Sequence, residues 1–152
     1  MTIENGVSNV EWTTDSGASA HMTSDVGILT NLHLYIGEDH VLVGNGDILP
    51  INHMGDTSIQ LNSSKIHLDN VLLVPELECN LLSVGQLTST HPVNCEFDHT
   101  GFNILNKKTR RVLMQGRKRG NLYVLPTALT THFSVRHKAV PFIIWHQRLG
   151  HP

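Results

Sequence analysis

The sequence predicts an all-β domain with one short helix, and three observations lead there. Apolar and β-branched residues come in short runs, punctuated by Gly, Asn, Asp and Pro. Several runs alternate polar with apolar, the period-two signature of half-buried strands. Val41-Leu42-Val43 and Ile48-Leu49-Pro50-Ile51 flank Gly44-Asn45-Gly46-Asp47, and Asn-Gly supplies the positive-φ positions that a tight hairpin needs.

Taken in order, Glu11-Trp12-Thr13-Thr14 reads as a strand leading into Asp15, and the hairpin at 41–51 follows. Thr57 to Leu61 and Lys65 to Leu68 alternate as half-buried strands do. Asn70-Val71-Leu72-Leu73-Val74-Pro75 is a continuous apolar run ended by proline, as expected of a strand buried on both faces. Asn80 is a plausible N-cap for a short helix over Leu81–Leu87, which Gly85 weakens. Strand signals return at Val93–Phe97, Phe102–Leu105, Val112–Met114 and Leu122–Leu125. Asp98-His99-Thr100-Gly101 and Arg119-Gly120-Asn121 are the turns between them. The expected organisation is an N-terminal segment 1–10, a main domain 11–92, an additional β segment 93–125, a linker 126–141 and a final segment 142–152.

Composition narrows the function classes. A chain of 152 residues with 39% hydrophobic and 16% charged residues can bury a real core. The formal charge of −2 gives no footprint for nucleic acid, and the basic residues between Lys107 and Arg119 read as polar positions around a strand. No apolar run reaches the roughly 20 residues of a membrane span. Two cysteines, Cys79 and Cys95, are too few for a disulfide scaffold, so an intracellular, cytoplasmic setting is expected. Histidine is unusually frequent, and protonating all 11 would carry the charge from −2 to +9, one unit for each.

The chemistry centres on Asp15-Ser16-Gly17-Ala18. Such a triplet is a common surface turn, but here it follows a strand and precedes small residues (Ser19, Ala20). A carboxylate at a strand end can receive backbone N–H groups, and glycine lets a second backbone come close.

Trp12-Thr13-Thr14-Asp15-Ser16-Gly17-Ala18-Ser19-Ala20-His21-Met22-Thr23 resembles the protease entry of copia-type LTR retrotransposon Pol polyproteins. Asn70–Leu77 and Asn80–Leu87 resemble that family's second signature, and Gly120–Leu125 is similar to the segment closing its protease region. Trp145-His146-Gln147-Arg148-Leu149-Gly150-His151-Pro152 looks like the opening of the GAG-pre-integrase region, of which 142–152 is then a truncated start. The resemblance covers residues 11–152 with its motifs in order.

It implies a retropepsin-like acid protease fold, one half of a dimeric enzyme, with extra C-terminal strands and a tail. Asp15 is implied as the catalytic residue of an aspartic endopeptidase that cuts the Gag-Pol polyprotein, and Ser16, Gly17 and Ala18 as its active-site loop. Two close carboxylates divide the work of hydrolysis because both cannot be ionised at once. This chain has one Asp-Ser-Gly, and Asp98-His99-Thr100-Gly101 carries an inserted histidine. The second carboxylate must come from a second copy, so a homodimer is expected.

Gly44, Asn45 and Gly46 fall where a flap would close over an extended peptide, with an ordinary hairpin as the alternative; a nucleotide-binding Gly-x-Gly fits less well, because no helix follows. Leu81, Leu82 and Ser83 occupy the place of an apolar-apolar-glycine triplet that supports the catalytic loop; serine departs from the viral pattern. His146 and His151 form an incomplete zinc motif, so no metal and no cofactor is expected. His21 reads as a polar surface residue. The implied setting is the virus-like particle of the parent element, with no direct nucleic-acid or membrane partner. The competing reading is a catalytically inactive, retrotransposon-derived remnant that serves as an interaction module. A histidine-rich metal-binding module is a third, against which the scattered histidine spacing counts.

Overall fold

Alternation sets the first strand, β1 (Val7–Asp15): Val10 and Trp12 enter the core, and Thr13, Thr14 and Asp15 are buried too, so its end is covered on both faces. A computed structural model describes residues 7–43 and 45–130, with side chains over 10–43 and 45–127. The strand begins inside the segment 1–10 that the sequence reading set apart. Next come β2 (Met22–Thr23), a 3-10 turn at Val26–Ile28, and β3 (Thr30–Leu34). Neither strand was expected from the sequence.

The hairpin forms as expected, from β4 (Val41–Leu42) and β5 (Ile48–Leu49), and makes a small sheet of its own. Gly46 holds φ 93° in its turn, a value costly for a residue with a Cβ. β6 (His53–Leu61) and β7 (Ser64–Leu73) pair antiparallel. β7 merges two segments that the sequence suggested were separate. Between Gly55 and Thr57 the register slips, because Asn70 occupies the left-handed region at φ 57°. The Asp56 carboxylate accepts the Asn70 amide at 3.2 Å. This bulge keeps one face buried throughout: Ile66 and Leu68 before it, Val71 and Leu73 after it. The run is therefore not buried on both faces, since Leu72 is half-exposed.

The largest correction concerns the helix. Asn80–Ser83 is a strand, β8, and the helix α1 spans Val84–Thr90 with Ser83, not Asn80, as N-cap. Leu81 and Leu82 are fully buried, and β8 supplies the parallel partner for the last four residues of β1, Trp12–Asp15. Ladder and burial together outweigh a weak helix propensity. Ser83-Val84-Gly85-Gln86 has the capping-box spacing, which moves the helix start three residues along. The chain finishes with β9 (Val93–Phe97), β10 (Gly101–Asn106), β11 (Val112–Arg119) and β12 (Leu122–Thr130). Pro126–Thr130, expected to begin a linker, continues β12 instead, pairing with β1 from Glu11 back to Val7. Positions 131–152 lie outside the described residues, and with them most of that linker, the C-terminal tail and His146 and His151.

The strands join in the order β3-β6-β7-β2-β8-β1-β12-β11-β10-β9. One edge of β12 follows β1; its other edge meets β11 near the start and β6 near the end, through Ala128 and Gln60. That last pairing, a single residue pair, links β6, β7, β2, β8, β1 and β12 into a barrel, in which the short β2 and β8 cover only Leu72–Leu73 of β7 and Trp12–Asp15 of β1. Trp12, Ile59, Leu68, Leu82, Leu87 and Leu125 belong to the main core. A second cluster packs Ala18 and Met22 with Val41, Leu49, Val74, Leu77, Leu81 and Leu122. Through Val41 and Leu49 the hairpin is thus rooted in the same cluster as Ala18.

Candidate active site

Asp15 ends β1 and is 1% exposed. Its Oδ1 accepts the Gly17 amide at 2.8 Å, an Asx turn that folds Ser16 and Gly17 over the carboxylate. A Cβ on Gly17 would stand 3.3 Å from Oδ1, so glycine there leaves the carboxylate room. Ser16 and Gly17 are exposed and Ala18 is buried. Thr14, one residue earlier, donates its hydroxyl to the Tyr123 carbonyl at 3.2 Å, tying the strand end to β12.

Asp15 and Ser83 are register partners in the parallel β1–β8 ladder. The Ser83 hydroxyl donates to the Ala18 carbonyl at 2.7 Å and accepts the Gln86 amide at 3.0 Å. Leu81 and Leu82 anchor the strand, Leu81 in the second cluster and Leu82 in the main core.

His21 corrects the sequence reading. It is no surface residue: it is 1% exposed, its Nδ1 accepts the Ser83 amide at 2.9 Å, and its own amide donates to Gln86 Oε1 at 3.0 Å. Burial, aided by the charge of His91, pushes its pKa down to about 4. Gln86 in turn donates through Nε2 to the Asp69 carbonyl at 3.0 Å. His21 and Gln86 were both missed as site residues. The available signals were the position of His21 directly after the loop and the Ser-x-x-Gln spacing.

A cleft of about 500 Å3 opens beside the loop, with Gly17, Ala18, Ser19 and Ala20 on one side. Met22, Ile51, Met54 and Leu72 give it an apolar wall, and Val41 and Leu42 bring the hairpin to it. Leu42 and Ile48, cross-strand partners in that hairpin, are 63% and 58% exposed. Asn45 and Gly46 sit in its turn, where Asn45 Oδ1 accepts the Asp47 amide at 2.8 Å; Gly44 lies outside the described residues.

Asp98 is spent in a turn. Its Oδ1 accepts from the Thr100 amide and hydroxyl and from the Gly101 amide. Those bonds hold its carboxyl below the usual range. Asp56, His67 and Asp69 bring ligand-type atoms within 4.8 Å of one another at the surface. Their bonds already serve the β6–β7 bulge: Asp56 caps Asn70 and takes Asn31 Nδ2, and His67 meets Asp69 at 2.9 Å. Cys79 and Cys95 are free thiols. Among the described residues no helix is long and apolar enough to cross a membrane.

A family model described as the Pol polyprotein beta-barrel domain matches residues 12–91. The chain belongs to that family. It is also 36% identical over 148 residues to the retrovirus-related Pol polyprotein from transposon RE1 of Arabidopsis thaliana, covering 95% of this chain and 10% of that protein. With the corresponding polyprotein from transposon RE2 of the same plant, identity is 36% over 144 residues, covering 93% and 10%. The chain thus spans about a tenth of the length of these curated relatives. No solved structure matches. The copia-type Pol polyprotein resemblance is borne out. The barrel with one short helix is consistent with an all-β, retropepsin-like domain of such a polyprotein.

Proposed function

We propose that this Pol polyprotein domain is one half of the aspartic endopeptidase of a copia-type retrotransposon, cleaving the element's Gag-Pol polyprotein. The observation that carries the reading is Asp15: a buried carboxylate at the tip of a strand, held by the Gly17 amide within Asp15-Ser16-Gly17. Hydrolysis without a covalent intermediate needs one carboxylate to take a proton from water and another to hold a proton for the substrate carbonyl. The sequence has a single Asp-Ser-Gly, so the second acid is Asp15 of another copy, related by a two-fold axis. Exposed Ser16 is available to that copy. The cleft beside the loop accepts substrate side chains, and the hairpin closes over an extended peptide, pairing with it as an added strand. Processing of this kind belongs in the cytoplasm, inside the element's virus-like particle.

The test is cleavage of a polyprotein segment by the native chain and by Asp15→Asn, with sedimentation of both. The expected result is cleavage by a native dimer, blocked by a pepstatin-type transition-state mimic and lost in Asp15→Asn. Equal cleavage by both chains, or full activity in a strictly monomeric species, overturns the proposal.

A further inference from the structure

His21 holds three elements at once. Its amide donates to Gln86 of α1, its ring Nδ1 accepts the amide of Ser83 in β8, and its carbonyl accepts the Leu72 amide of β7 at 2.9 Å. Ser83 is the register partner of Asp15 and binds the Ala18 carbonyl. The Asp15–Ala18 loop is therefore held on one side by Ser83, and Ser83 is held by the His21 ring.

The donor in the Ser83–His21 bond is a backbone N–H, so its polarity is fixed: Nδ1 must carry a lone pair. The imidazole is then neutral with its proton on Nε2. An imidazolium has no acceptor, and would set two N–H groups against each other in a buried site. Glu11 and Asp15 on β1, Lys65, His67 and Asp69 on β7, and His91 just after α1 are the ionisable groups on the surrounding elements; β8 and α1 carry none.

We infer that His21 is a positioning residue for the Asp15 site, its neutral ring fixing Ser83 and, through Ser83, the seat of the catalytic loop. The inference rests on the protease reading and adds to it a residue that touches neither substrate nor the reacting carboxylate. A small displacement of Ser83 passes directly to both the Ala18 carbonyl and the strand bearing Asp15. Shifts on the order of 1 Å at a catalytic group cost up to about 100-fold in rate.

Two variants of the full chain separate positioning from bulk. His21→Leu removes the acceptor and keeps an apolar side chain; His21→Asn keeps an oxygen near the place of Nδ1. The expected result is a fall in kcat of roughly 10- to 100-fold for His21→Leu with KM little changed, largely restored in His21→Asn. Nitrogen-15 spectra of the native protein at pH 6 should show the His21 ring protonated on Nε2 alone. Ser83 amide exchange should quicken in His21→Leu and slow again in His21→Asn. A His21→Leu chain that keeps native kcat, or a native ring carrying its proton on Nδ1, overturns the inference; the second reading needs no folded variant. If the native chain cleaves no better than Asp15→Asn, the protease reading fails and takes the catalytic half of the inference with it. The ring and amide spectra still decide whether His21 holds Ser83.

Discussion

Asp15 and Ser83 lie side by side in adjacent parallel strands, and the serine hydroxyl reaches past the aspartate to the Ala18 carbonyl at 2.7 Å. That one hydroxyl also caps α1 by accepting the Gln86 amide. Loop and helix therefore share a single atom. Ser83→Ala removes the cap and leaves the Ala18 carbonyl without this donor. A cap is worth about 1 kcal/mol and an orphaned buried acceptor roughly 1–3, so Ser83→Ala should lose about 2–4 kcal/mol in urea unfolding. A loss below about 0.5 kcal/mol, the range of an ordinary surface substitution, would show that the hydroxyl holds neither element.

The same residues show what was legible in the sequence. Asp15 in its triplet, the 41–49 hairpin and the β9 and β10 strands are local patterns, and each formed where its turn chemistry put it. The start of α1 was not legible in this way. Asn80 and Ser83 are both good N-caps in isolation, and only the empty parallel edge of β1 makes Asn80–Ser83 a strand. His21 was opaque for a similar reason. A histidine beside a loop looks exposed until β7, β8 and α1 close around it, and those contacts come from residues 50 or more positions along the chain. β2 and β3 are short or fully exposed, so they left no apolar period to detect.

Asn70 is the hinge of the longest strand. Its φ of 57° places the extra residue that lets Ile66 and Leu68, and then Val71 and Leu73, face one core. Asparagine tolerates this region and a β-branched residue does not. Asn70→Val should cost about 1–3 kcal/mol, whereas Asn70→Gly should stay near native. Thermal unfolding of the pair checks this; equal midpoints would mean the bulge is not held in that conformation.

Burial raises the Cys79 thiol to about 12 and the Cys95 thiol to about 11. The thiolate is the reactive form, so at pH 8 both should alkylate slowly in the native protein and rapidly in urea. Mass spectrometry with iodoacetamide over time reads the difference. Fast native labelling at Cys79 would contradict its packing against Thr13, whose hydroxyl lies 3.6 Å from the sulfur.

Acid should weaken the fold before carboxylates titrate, because of His21. Its pKa is about 4 in the folded chain against an ordinary 6.5, so between those values the unfolded chain binds a proton that the folded chain refuses. Stability therefore falls as pH drops through that window, and is indifferent to His21 above it. A shift of this size corresponds to roughly 3 kcal/mol in full. Asp56 and Asp98 have depressed carboxyls, so their contribution is present above the usual carboxylate range and lost only at lower pH. Both are largely exposed to solvent screening. Urea melts from pH 7 to pH 4.5 separate the groups: the native chain should lose stability steadily below pH 6.5, and His21→Asn should remove most of that slope. An unchanged slope in His21→Asn would assign the acid sensitivity to other groups and deny the imidazole its place as the neutral acceptor for Ser83.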